Sequence, residues 1–143
     1  GQPVFDKLDA ELAKAMLSIG AVKGFEIGDG FAAADSVGSQ NNDTMHAEDG
    51  NPVFDTNHAG GVLGGLSSGA DIIFRVAVKP VPSIFKPQQT VRRSEDFGVD
   101  GKAEYETTEL QIKGRHDVCL CPRIVPVVEA MASLVITDFL LNA

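Results

Sequence analysis

Apolar residues at Phe5, Leu8, Leu12, Met16 and Ile19 recur in steps of three and four, which places them on one face of a helix ending at Gly20. Asp9, Glu11 and Lys14 fall largely on the other side, so this helix has a core-facing stripe. From Ala21 to Phe31 the pattern changes. Gly24, Gly28 and Gly30 alternate with Phe25, Ile27 and Phe31, which predicts a strand with a close backbone approach or a bulge. Residues 32–52 carry Ser, Asn, Asp, Gly and His with little apolar material and read as a long loop, functional or disordered. The glycine-dense segment from Asn57 to Ala70 precedes a strand in which Ile72, Phe74, Val76 and Val78 alternate with Ile73, Arg75, Ala77 and Lys79. A turn at Ser68-Gly69 would join the two as a hairpin.

Lys79-Pro-Val-Pro-Ser-Ile ends that strand, because two prolines cannot continue an interior ladder. Residues 92–106, rich in acids and glycine, read as an exposed excursion, and Leu110 and Ile112 as a short strand. Pro126 is placed to open a final helix. Val128, Met131, Val135 and Phe139 follow at helical spacing, with Val127, Leu134 and Leu141 widening the apolar arc until the helix is expected to be buried on most sides. The fold class expected is α+β, with antiparallel strands packed against N- and C-terminal helices. No internal repeat interrupts it, and residues 1–143 read as one domain.

Composition narrows the function. With 143 residues, 43% of them hydrophobic, the chain can bury a sizeable core. A net charge of -8 argues against general affinity for nucleic acid or acidic membranes, since neutralising phosphate needs a Lys/Arg surplus. Any anion site must therefore be local. Lys23, Lys79, Lys113, Arg115 and Arg123 lie within or beside the glycine- and proline-rich segments. No apolar run reaches the length expected of a membrane span, and no basic-then-apolar signal opens the chain. Gly1, with no initiator Met, suggests a piece of a longer chain. Cys119 and Cys121, separated by one residue, are poorly spaced for an unstrained disulfide and lack partners for a zinc site. Buried, reduced thiols of a cytosolic protein are expected, and no metal site.

The candidate chemistry centres on Lys113 to Pro126, where Arg115, His116, Asp117 and Arg123 gather between the expected strand and helix. Guanidinium forks match phosphate or carboxylate oxygens, and a helix N-terminus offers N–H groups to the same anions. The alternative is a capped turn with surface ion pairs. His116 beside Asp117 reads as an acid/base pair, a ring-orienting pair, or two neighbours pointing apart. His46 and His58 read as solvated or structural. Gly60-Gly-Val-Leu-Gly-Gly lacks the P-loop lysine and the dinucleotide-binding spacing. Its paired glycines fit either a strand over which a flat ring passes or tight strand packing. Lys79-Pro80-Val81-Pro82-Ser83 adds a cation and a hydroxyl on a stiff turn.

Together these segments resemble the C-terminal part of the chorismate synthase family. The likeness rests on Pro3-Val-Phe-Asp-Lys-Leu-Asp-Ala, Ser18-Ile-Gly-Ala-Val-Lys-Gly-Phe-Glu-Ile-Gly-Asp-Gly-Phe, Asn57-His-Ala-Gly-Gly-Val-Leu-Gly-Gly-Leu-Ser-Ser-Gly, Lys79-Pro-Val-Pro-Ser-Ile, Gly114-Arg-His-Asp and Arg123-Ile-Val-Pro-Val-Val-Glu-Ala-Met. They come in the family's order over nearly the whole chain, with least likeness from Arg92 to Glu106. The resemblance implies part of a β-α-β sandwich and a cytoplasmic, homotetrameric parent lyase of the shikimate pathway of aromatic amino acid biosynthesis. That enzyme converts 5-enolpyruvylshikimate 3-phosphate to chorismate and phosphate by a 1,4-anti elimination that requires reduced FMN. It also implies flavin contacts at Gly20, Ala21, Gly64, Lys79, Pro80, Val81, Pro82, Ser83 and Arg115, a second role for Arg115 toward substrate, and a catalytic role for Asp117 near flavin N5.

Two departures from the family pattern, Val118 for a common proline and Gly20 for a frequent Pro or Asn, remove no functional group. The family's N-terminal portion, with its two catalytic histidines and most substrate-binding arginines, has no counterpart among these segments, so the chain alone is expected to be inactive. The alternatives from other classes are a scaffold or oligomerisation domain without independent flavin binding, and a module that binds a phosphorylated small molecule without catalysis.

Overall fold

The computed structural model describes residues 1–2, 4–97 and 103–142, apart from the side chains of 95–97. The chain divides into two compact units, Gly1–Lys79 with Cys121–Ala143, and Pro80–Leu120.

In the first unit, helix α1 (Leu8–Leu17) forms where the step-of-four pattern predicts it and buries Leu8, Leu12 and Met16. Asp9 and Glu11 occupy its first turn, where carboxylates complement the positive end of the helix. Phe5, 86% exposed, and Ile19 both lie outside the helix, so the stripe is two residues shorter than the spacing suggested. The chain then turns through a bond from the Val22 N–H to the Ile19 carbonyl (3.2 Å) into strand β1 (Val22–Ile27).

β1 runs antiparallel to β6 (Phe74–Val78), pairing Phe25 with Val76, Glu26 with Arg75 and Ile27 with Phe74. The expected irregularity is present as a register shift between Val22 and Gly24. The close approach occurs at Gly28, whose N–H donates to the Ile73 carbonyl (2.8 Å), while Ile73 N–H donates to Gly60 (3.1 Å). A Cβ on Gly28 would collide with the His58 carbonyl and the Gly60 nitrogen, and both glycines have positive φ, so other residues would be excluded twice over.

The expected loop at 32–52 is instead ordered. It contains a 3-10 helix (Gly30–Asp35), the one-turn helix α2 (Gly38–Asn41), and a hairpin of β2 (Met45–Glu48) and β3 (Asn51–Phe54). Sparse apolar content hid it, because β2 is exposed throughout and shows no inside–outside alternation. The glycine-rich segment is likewise corrected. It folds on itself as β4 (Val62–Leu63) and β5 (Leu66–Ser67) around Gly64-Gly65, leaving β6 to pair with β1.

Helix α3 spans Cys121–Leu141, five residues longer at its start than the pattern from Pro126 suggested. Pro122 sits in the first turn, where no backbone hydrogen bond is lost, and Pro126 lies inside the helix. None of its residues is fully buried. Ala132, Val135, Ile136 and Phe139 pack against the cluster of Leu8, Leu12 and Val62, joined by Phe25, Ile27 and Ile72. Leu134, Leu140 and Leu141 remain 64%, 73% and 80% exposed. Within its own unit α3 has one apolar neighbour face, which overturns the expectation of burial on most sides. At 21 residues and mean hydropathy 2.0 it is also long and apolar enough to cross a membrane by length and composition. The shorter reading missed that length.

The second unit is built on a hairpin of β7 (Gln88–Phe97) and β8 (Ala103–Leu110), paired from Gln88–Leu110 through Arg93–Tyr105. The expected excursion at 92–106 is exposed as foreseen, but most of it is strand; residues 98–102 lie outside the described ones. Arg92 and Glu106 face each other in register and form an ion pair. Cys119 and Cys121 are exposed, not buried, because neither lies against an apolar cluster.

Candidate functional site

Gly20 and Ala21 occupy the turn between α1 and β1. Ala21 has φ of 73°, the value of the third residue in a type II turn, a position that favours glycine. The Ala21 carbonyl accepts a hydrogen bond from the Lys79 N–H (2.9 Å). The β1–β6 ladder thus carries two segments distant in sequence to one place, with Lys79 exposed at the strand exit. Gly64 sits at the tip of the β4–β5 hairpin. A Cβ built on Gly20 or Gly64 would meet nothing within 4 Å, so both present bare, open backbone. Gly65, beside it, is tied to α1 by a bond from the Leu8 N–H (2.8 Å). Three clefts of about 480 to 530 Å³ occur in this unit, and none is lined by these residues.

Pro80, Val81, Pro82, Ser83, Arg115 and Asp117 belong to the second unit. Val81 and Ser83 are half-buried. Arg115 is 87% exposed, with its Nη2 4.0 Å from Asp117 Oδ1. Local contacts join the segment after Ser83 to the Gly114-Arg-His-Asp motif. Gln111 Nε2 donates to the Phe85 carbonyl (2.7 Å), and the rings of Phe85 and His116 lie 5.2 Å apart. His116 Nε2 is shielded from solvent and has no hydrogen-bond partner among the described residues. An exposed guanidinium can bind an anion without first surrendering a buried ion pair, which suits Arg115 to phosphate or carboxylate oxygens.

A second polar cluster escaped the sequence reading, in which His58 was solvated or structural. His58 Nδ1 lies 2.7 Å from Asp29 Oδ2. Asp43 accepts from the His58 N–H (2.6 Å), the Ala59 N–H (3.0 Å) and the Thr56 hydroxyl (2.9 Å). Desolvation pushes the Asp43 carboxyl up, but those donors and the nearby His58 ring outweigh it, so the carboxyl sits below its ordinary range. The signal was one acid in an apparent loop, Asp43, and one at the end of the expected strand, Asp29, whose meeting at the glycine-rich segment depends on the fold. His46 Nδ1 pairs with Asp55 Oδ1 (2.8 Å) across the β2–β3 hairpin region. No group of three or more His, Cys, Asp or Glu among the described residues is placed to hold a metal.

A sequence-family model described as chorismate synthase matches residues 1–141. The chain belongs to the chorismate synthase family. A chorismate synthase of Maridesulfovibrio salexigens is 59% identical over 141 residues, covering 99% of this chain and 36% of that protein. One of Methanosarcina mazei is 55% identical over 143 residues, covering 100% and 37%. A chorismate synthase crystal structure superposes with a TM-score of 0.52 at 44% identity, over 54% of this chain and 23% of that one. The chain therefore spans just over a third of the length of the chorismate synthases it matches.

Proposed function

We propose that this chain is the C-terminal portion of a chorismate synthase, a lyase that converts 5-enolpyruvylshikimate 3-phosphate to chorismate and phosphate by 1,4-anti elimination with reduced FMN. Identity of 59% to a named chorismate synthase across nearly every residue carries the reading. The residues present fit a flavin. Bare backbone at Gly20 and Gly64 suits the close passage of a flat ring, and the exposed Lys79 and Arg115 suit its phosphate oxygens. Reduced FMN, when bound, supplies transient electron density to the breaking C–O bond and a place for the departing ring proton.

In this reading Gly20, Ala21, Gly64, Lys79, Pro80, Val81, Pro82, Ser83 and Arg115 bind and orient the cofactor. Arg115 also offsets charge that develops on the departing phosphate. Asp117 holds or relays a proton. The parent is read as a cytoplasmic homotetramer, and the chain alone as inactive for want of the family's N-terminal histidines and arginines. A scaffold role is the second reading, favoured by the exposed Leu134, Leu140 and Leu141 of α3, a surface suited to the rest of the polypeptide or to another subunit.

Anaerobic titration of the chain with reduced FMN, with and without 5-enolpyruvylshikimate 3-phosphate and with chorismate assayed, tests both. Flavin binding without turnover is expected. Arg115→Ala is expected to weaken it roughly 10- to 100-fold, the loss of one charge-assisted contact, with assembly unchanged. Turnover by the chain alone would overturn its inactivity, and altered assembly with no effect on flavin would favour the scaffold.

A further inference from the structure

Gly60, Gly61, Gly64 and Gly65 give the segment leading to the β4–β5 tip four residues without side chains, so side-chain packing holds it at Val62 and little else, and its unfolded entropy is high. Its position has to be set by groups outside it. Those groups converge on one short stretch just upstream. Asp43 takes both the His58 and Ala59 N–H groups, one on each carboxylate oxygen. The His58 ring reaches Asp29 at 2.7 Å, while the Asp29 N–H returns a bond to the His58 carbonyl (2.8 Å). Asn41 Nδ2 adds a weak bond to the same Asp29 oxygen (3.4 Å). Asn57 caps the stretch from within, accepting from the Gly61 N–H (2.7 Å) and donating to the Asp71 carbonyl (2.8 Å). Beyond it, the Gly61 carbonyl accepts from Ser68 N–H (2.9 Å) and closes the hairpin that displays Gly64.

We propose that Asp29, Asp43 and His58 form a polar clamp that positions the Gly60–Gly65 segment, with His58 as the positioning residue that joins the two carboxylates to the glycine backbone. The clamp deepens the flavin reading above, on which its link to ligand binding rests, by assigning Asp29, Asp43 and His58, none of them among the flavin-contact residues named there, the task of presenting Gly64. Half-buried carboxylates are costly unless their oxygens are bonded, and here that cost is met largely by His58 and Ala59 at the start of the glycine-rich stretch, with Thr56 and Asn41 adding to them. The alternative fastening, a buried apolar side chain, is supplied in this segment by Val62 alone.

Amide hydrogen exchange on the 143-residue chain tests the clamp, alongside reduced-FMN titration. His58→Ala is expected to speed exchange in peptides covering 60–67 by about tenfold while peptides from α1 keep the wild-type rate. His58→Asn, whose amide reaches the Nδ1 position, should restore most of the protection and, in parallel, flavin affinity. Asp29→Asn gives the same local pattern, more weakly, and serves where the alanine variant fails to fold. Unchanged exchange at 60–67, or an equal rise in α1, overturns the clamp. Failure of the wild type to bind FMN would remove the flavin reading, and the local exchange pattern would then decide the clamp by itself.

Discussion

Leu8, Leu12, Met16, Val22 and Val62 are withdrawn from water in the first unit, whereas no described side chain of Pro80–Leu120 is. The first unit gains about 1.5–3 kcal/mol from each such residue, and this core holds the β1–β6 ladder that seats Ala21 against Lys79. The second unit has a longer ladder, yet its pairs from Gln88–Leu110 to Arg93–Tyr105 are almost wholly exposed, as with Arg92 and Glu106, whose side chains are 70% and 51% exposed. Exposed pairs of that kind contribute little. The backbone at Ala21 and Lys79 is thus tied to buried apolar material, while the segment that carries Arg115 and Asp117 has no fully buried apolar side chain among its described residues.

Removing the core should break that contrast most severely. Leu12→Ala empties a side chain with no exposed surface and should cost about 3 kcal/mol, read as a lower urea midpoint, whereas Val91→Ala, at 61% exposure, should stay within about 0.5 kcal/mol. Equal losses at the two sites would abolish the distinction. Asp43→Asn comes next. It places an N–H where a carboxylate oxygen faced a donor, and should cost about 1 kcal/mol at neutral pH. Because the folded carboxyl is held below its ordinary value of 3.8, its contribution is present above that pH and is lost as pH falls through the lower folded value. Urea unfolding at a series of pH values between about 2 and 5 should therefore show a shallower acid slope in the variant.

Smaller effects sharpen the picture. Ala21→Gly relieves a left-handed alanine and, net of glycine's greater unfolded entropy, should stabilise the first unit by about 0.5 kcal/mol, visible as a higher melting temperature; a lower one would mean that the turn needs the alanine's restricted unfolded state more than relief of its strain. Arg92→Ala should change stability by less than about 0.5 kcal/mol, and a larger loss would show the hairpin to depend on its charges.

The strong periodic segments were legible in the sequence. α1, β1 and β6 form where alternation and the step of four placed them, because one face of each is buried and burial writes itself into the pattern. The strand exit at Lys79 was legible too, because the prolines after it cannot continue the ladder. The β2–β3 hairpin, the early start of α3 and the polar clamp were not, since an exposed strand has no alternation to show and partners such as Asp29, Asp43 and His58 are brought together by the chain's return, not by spacing.

The sequence by itself determined the family and the apolar stripe of α1. Only the tertiary structure decided that β6 pairs with β1 and not with the glycine segment, and that α3 keeps an open apolar face. The reason is physical: composition and period record how much surface a segment must bury, whereas which neighbour buries it is settled by the competition among all segments for the same partners.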